Sequence, residues 1–259
     1  MNKKYIVANW KMAPTSWAEA QEILERTDEY LGTLDDRKEF TLVFCPPFVF
    51  LEEAAKRLET SHLAHQALLG AEDIATEDSG ALTGEVSGPM LRKLGVRYVI
   101  IGHSERRWKL GESDETTNRK LKAALRNELT PIVCVGERTR DGDFKDFLKN
   151  QIAATLNGLS ADEVARCVIA YEPVWAISTT PGAHPDTPES AIESISTIKE
   201  ILNSEFLIRD SVFLYGGSVN SGNARDFLAQ DEIDGVLIGG ASVNKEEFVK
   251  ILSVAQELI

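Results

Sequence analysis

Five short stretches concentrate residues able to move a proton or hold an anion: Asn9-Trp10-Lys11, Gly102-His103-Ser104-Glu105, Glu172-Pro173-Val174-Trp175, Gly216-Gly217-Ser218 and Gly239-Gly240-Ala241-Ser242. Glu172 lies between Tyr171 and Trp175. An apolar wall of that kind favours the neutral acid, raises basicity and suits a carboxylate to proton abstraction. His103 has Gly102 leaving room beside it, with Ser104 and Glu105 as ready partners. Lys11 is a candidate anchor for an anionic substrate, and the two glycine pairs let backbone amides approach a ligand closely. Each feature also has a plainer reading. His103 could be a satisfied rim residue, Glu172 one half of a rim salt bridge, Lys11 an ordinary surface cation, and each glycine pair a tight turn. Their value depends on whether the fold brings them together.

Eight short apolar or β-branched runs punctuate the chain: Tyr5–Asn9, Thr41–Cys45, Leu68–Ala71, Tyr98–Ile101, Pro131–Val135, Cys167–Tyr171, Val212–Tyr215 and Val236–Ile238. Most lack apolar/polar alternation, as expected of parallel strands buried on both faces. Helical stretches separate them. Ser16-Trp17-Ala18-Glu19 reads as a capping box, Asn244 with Glu247 repeats its logic, Thr187-Pro188-Glu189 puts a cap before a proline, and Ser113-Asp114-Glu115 opens another helix. Leu121, Ala124, Leu125 and Leu129 then follow helical spacing. The regular alternation, with no linker or break in composition, predicts an α/β chain folded as one (β/α)8 barrel domain over residues 1–259. An open doubly wound sheet is the alternative, because periodicity does not reveal closure. In a barrel, all five stretches follow strand ends and share one mouth, and the loops after strands 7 and 8 form the usual phosphate site.

The net charge of −13 speaks against nucleic acid as a partner. An anionic substrate must therefore meet locally placed donors. No apolar run approaches the roughly 18 residues of a membrane span. Met1-Asn2-Lys3-Lys4 passes directly into Tyr5-Ile6-Val7-Ala8 rather than into a signal-peptide core. Cys45, Cys134 and Cys167 lie in apolar runs without metal-type spacing, so reduced core thiols and a cytoplasmic location are expected. No metal or organic cofactor is indicated.

In order along the chain, Asn9-Trp10-Lys11, Gly102-His103-Ser104-Glu105-Arg106-Arg107, Ala170-Tyr171-Glu172-Pro173-Val174-Trp175-Ala176-Ile177, Tyr215-Gly216-Gly217-Ser218-Val219 and Gly239-Gly240-Ala241-Ser242 closely resemble the triosephosphate isomerase family. Gly80-Ala81-Leu82-Thr83-Gly84-Glu85, Gly111-Glu112-Ser113-Asp114-Glu115 and Cys134-Val135-Gly136-Glu137 add to the match. The resemblance implies interconversion of dihydroxyacetone phosphate and glyceraldehyde 3-phosphate through an enediolate. It assigns Glu172 as the base, neutral His103 as the group that polarises the carbonyl, and Lys11 and Asn9 as partners of the substrate's negative charge; that division of labour is the family's own. Ser104 and Glu105 would support them. Backbone amides near Ser178, Ser218, Gly239 and Gly240 would grip the phosphate. The resemblance also implies a homodimer through the Asp73–Glu85 loop, with Thr83 reaching a neighbouring active site.

Two stretches depart from the family pattern. Gly70-Ala71-Glu72-Asp73 stands where Gly-Ala-Gln-Asn is usual, so two amides have become acids, and burial of Glu72 at the dimer interface should raise its pKa. The stretch Ser178–Thr187 replaces a shorter glycine-rich lid tip. It predicts a lid that still closes, with Pro181 to Pro185 exposed to solvent. Two other functions are compatible with the sequence: isomerisation of a related ketose phosphate such as a tetrulose phosphate, and phosphate binding by a non-catalytic barrel.

Overall fold

The computed structural model describes residues 4–34, 40–60 and 63–259, apart from the side chain of His65. Met1, Asn2 and Lys3, part of the start read above, lie outside these residues. Eight strands form a closed barrel in which each pairs with its neighbours in sequence and β8 returns to β1. They are β1 (Tyr5–Asn9), β2 (Thr41–Cys45), β3 (Ala67–Ala71), β4 (Tyr98–Ile101), β5 (Thr130–Val135), β6 (Val168–Tyr171), β7 (Val212–Tyr215) and β8 (Gly235–Ile238). All pairings are parallel.

Closure depends on a contact absent from any local pattern. Tyr5 pairs with Gly235, and a Cβ at position 235 would run into the Tyr5 carbonyl. The glycine lets β8 approach β1, and it begins the strand one residue before the apolar run predicts. β3 and β5 also start a residue early, whereas β6 starts at Val168 because the Cys167 amide bonds back to Val164 O at 2.9 Å.

Alternate residues divide between two cores. Val7, Val43, Cys45, Ile100, Ile132, Cys134, Leu214 and Leu237 fill the barrel, while Ile6, Ala8, Leu42 and Phe44 pack outward under the helices with Cys167. Both strand faces are therefore buried, which explains the missing alternation. The three cysteines are free and buried.

The helix starts keep part of the expected chemistry. Ser16 accepts from the Glu19 amide at 3.3 Å, but the Glu19 carboxylate goes to the Thr15 amide at 3.0 Å, so the box is one-sided. Asn244 accepts from Glu247 at 3.1 Å, while the Glu247 carboxylate accepts from the Ser221 amide at 2.7 Å and ties the last helix to the loop after β7. A complete box forms instead at Ser160 and Glu163, a start outside the four expected ones. Thr187 and Ser113 cap as predicted, and Leu121, Ala124, Leu125 and Leu129 are buried. Among the described residues no helix is long and apolar enough to cross a membrane.

Candidate active site

A cavity of about 300 Å³ opens at the C-terminal mouth of the barrel, and Asn9, Lys11, His103, Glu172, Ser178, Ser218, Gly239 and Gly240 all line it. Strand ends from β1, β4, β6, β7 and β8 thus converge on one place. Leu237 and Asn220, which no motif singled out, complete the wall. Among the described residues no group of three or more His, Cys, Asp or Glu stands ready to hold a metal ion.

Glu172 is buried, and both of its carboxylate oxygens have partners. His103 Nε2 lies 3.0 Å from Oε1, and the Ser104 amide donates to Oε2 at 2.8 Å. Burial pushes this carboxyl up, but His103, the Ser104 amide and Lys11 outweigh it and hold the group below the ordinary glutamate value. The apolar wall expected from Tyr171 and Trp175 does not form. Both point their polar tips at Glu137, which accepts from the Tyr171 hydroxyl at 2.7 Å and from Trp175 Nε1 at 3.0 Å. Glycine at 216 makes room for the Glu172 side chain instead, since a Cβ there would stand 2.8 Å from its Cγ.

The imidazole of His103 has a defined tautomer. The Glu105 amide donates to Nδ1 at 3.2 Å, which requires a lone pair on that nitrogen and leaves the proton of a neutral ring on Nε2, facing Glu172 and the cavity. Lys11 is held in the left-handed region, with φ of 59°, a conformation costly for a side chain with a Cβ. Its ammonium pairs with Glu105 Oε1 at 3.1 Å, and a Cβ on Gly239 would come within 3.2 Å of Nζ. The glycine after β8 therefore leaves space for Lys11 as well as for a ligand. Asn9 Oδ1 accepts from the Lys11 amide at 3.2 Å, which fixes the side chain and leaves its amino group to donate. Glu105 joins Lys11 to His103, and Ser104 contributes its backbone donor to Glu172, so both supporting residues act behind the cavity wall.

The loop after β6 borders the cavity through Ile177, Ser178 and Thr179, beside the glycine loops after β7 and β8. The Ser178 amide donates to Ser218 Oγ at 2.8 Å, and Ser178 is not in the left-handed region. Of the tip from Pro181 to Pro185 expected to face solvent, Pro181, Gly182, His184 and Pro185 are exposed and Ala183 is half-buried. The tip is nonetheless tethered, because the His184 amide donates to Trp175 O at 3.2 Å and the two rings stand 4.7 Å apart.

This arrangement pairs a carboxylate with an imidazole N–H, a cation and converging glycine-loop amides, which is the equipment for moving a proton beside a carbonyl in an anionic substrate. The sequence matches the model of the family described as triosephosphate isomerase over residues 4–255. The chain belongs to the triosephosphate isomerase family. It is 42% identical to the triosephosphate isomerase of Roseiflexus sp. (strain RS-1), with 97% of each chain covered. It is 43% identical to that of Synechococcus sp. (strain JA-2-3B'a(2-13)), covering 96% of this chain and 95% of the relative. For Caldanaerobacter subterraneus subsp. tengcongensis the identity is 41%, over 98% of this chain and all of the relative.

The two family departures sit next to this site. Glu72 is largely buried within the single chain, with Oε1 unpaired, and its carboxyl is pushed up to about 8, mainly by burial. No partner subunit is needed for that shift. Asp73 meets Lys120 at 2.7 Å and Arg106 at 2.9 Å, and both cations also pair with Glu112. The added acid thus makes a closed network of two cations and two carboxylates.

Proposed function

We propose that this chain, acting as one barrel domain, interconverts dihydroxyacetone phosphate and glyceraldehyde 3-phosphate by proton transfer through an enediolate. One observation carries the reading: a buried carboxylate stands 3.0 Å from an imidazole N–H at the floor of a cavity whose rim holds Lys11 and the glycine loops after β7 and β8. Glu172 takes the proton from the carbon next to the carbonyl. Its present partners keep it charged, and the base becomes stronger when substrate and lid displace it from the Ser104 amide into a drier setting. His103 Nε2–H and the Asn9 amino group donate to the carbonyl oxygen as charge develops there, and Lys11 offsets the anion. The amides of Ser178, Ser218, Gly239 and Gly240 hold the phosphate.

Homodimerisation through the Asp73–Glu85 loop belongs to the same proposal. Met12 is 97% exposed beside Lys11, and Val49 and Leu82 are exposed as well, a set of apolar side chains suited to cover by a second copy.

A coupled assay of glyceraldehyde 3-phosphate isomerisation, with erythrulose phosphate as the comparison, tests the activity. Wild-type protein should equilibrate the trioses, and Glu172→Gln should lose at least about 10²-fold in kcat while still binding substrate. Poor triose turnover beside good tetrulose turnover would move the assignment to the larger ketose phosphate. Near-normal turnover by Glu172→Gln would remove that residue from the mechanism.

A further inference from the structure

Arg140, in the loop after β5, lies outside the substrate cavity, yet its guanidinium joins the two ends of the lid. At one end Nη1 donates to Glu137 Oε1 at 3.2 Å and to the Tyr171 hydroxyl at 3.3 Å. Glu137 is the buried acceptor of the Trp175 indole, in the segment where the lid leaves β6, and its carbonyl also accepts from the Val174 amide at 3.0 Å. At the other end Nη2 donates to Ser190 O at 3.3 Å and Glu193 Oε2 at 2.8 Å, and Nη1 bonds Ser194 Oγ. Those three residues belong to the first turns of the helix Pro188–Phe206, into which the lid runs. The guanidinium also stacks 3.9 Å over the Phe144 ring, which limits its own rotation. A planar fork with five donors can serve both ends at once; an ammonium cannot.

We infer that Arg140 is a positioning residue of the lid. It fixes the Glu137 carboxylate as the seat of the Trp175 indole and holds the following helix at a constant distance from that seat. The lid then swings between two feet of fixed separation, so the Ser178 amide returns to the same point over the cavity at each closure. Its consequence for turnover rests on the isomerase reading. Its consequence for Trp175 does not.

Arg140→Met keeps the stem over Phe144 and removes the fork, whereas Arg140→Lys keeps the charge. Two measurements are made on each full-length protein: hydrogen exchange of the Trp175 indole N–H without ligand, its resonance assigned with Trp175→Phe, and kcat and KM for triose phosphates alongside the melting temperature. In Arg140→Met the indole should exchange about tenfold faster and kcat/KM should fall about tenfold, at a temperature where the protein is fully folded. In Arg140→Lys the indole should stay protected, because a cation remains beside Glu137, while kcat/KM falls part of the way because the helix end is released. Unchanged Trp175 exchange in Arg140→Met overturns the inference. Should that variant not fold, Arg140→Lys decides alone, and wild-type kcat/KM in it overturns the inference equally. A wild-type enzyme that does not isomerise trioses would refute the isomerase reading and leave the Trp175 result to stand by itself.

Discussion

A protonated Glu72 offers one O–H donor and one carbonyl acceptor, the same pattern as the amide that usually stands there in this family. With its carboxyl at about 8, it carries its proton at neutral pH, so this departure preserves hydrogen-bonding character while adding a titration. Burial is the first cause, Glu105 and Asp73 add to it, and Lys11 opposes it. The folded value is raised above an unfolded one of about 4.3. Glu72 therefore contributes a stability that is fully present below the unfolded pKa and is lost as pH rises through the folded one. Glu72→Gln should raise the melting temperature more at pH 9 than at pH 5. Equal shifts at the two pH values, read by calorimetry, would contradict this. Asp73 is also raised, by burial first, but unlike Glu72 it has Lys120 and Arg106 as partners that oppose the shift.

The lid is the element where side-chain chemistry and backbone chemistry separate. Ser178 supplies an amide, and the serine side chain neither strains the backbone nor takes over the bond to Ser218. Ser178→Pro removes that donor and stiffens the loop, so kcat/KM should drop roughly 10-fold to 150-fold, the loss of one hydrogen bond to a charged group. Wild-type kinetics in this variant would show that the lid does not grip phosphate through Ser178. The tip turns at Gly182, whose φ of 77° suits glycine, and the His184 ring packs against Trp175. Length added there is absorbed over the loop's own first segment, where His184 meets Trp175.

At the scale of the whole molecule, one chain by itself brings Glu172, His103, Lys11 and the glycine loops after β7 and β8 to one mouth of the barrel. Met12, Val49 and Leu82 are among the large apolar side chains that a lone subunit leaves exposed. Sedimentation of the wild-type protein should give twice the 28.6 kDa chain mass. Thr83→Arg, which would set a bulky cation against Lys11 of the partner subunit, should shift the protein toward monomer and lower kcat by about 10²-fold, since small displacements of reacting groups carry losses of that size. A monomeric protein with full activity would refute the dimer proposal and the role given to the loop.

The sequence by itself determined the eight strands to within a residue, four of the helix starts, and most of the residues that meet at the mouth, because strand burial and strand-end chemistry are local patterns that neighbouring residues express. It also carried the family, through motifs in a fixed order. Only the tertiary structure decided what depends on distant partners. Barrel closure needed Gly235 beside Tyr5, and the capping boxes opened because Glu19 and Glu247 found other amides. Tyr171 and Trp175 turned to Glu137 rather than Glu172, so the base is held by donors and not by an apolar wall. Arg140 was silent in the sequence for the same reason: its partners come from three segments up to 54 positions away, and their meeting is a property of the closed barrel.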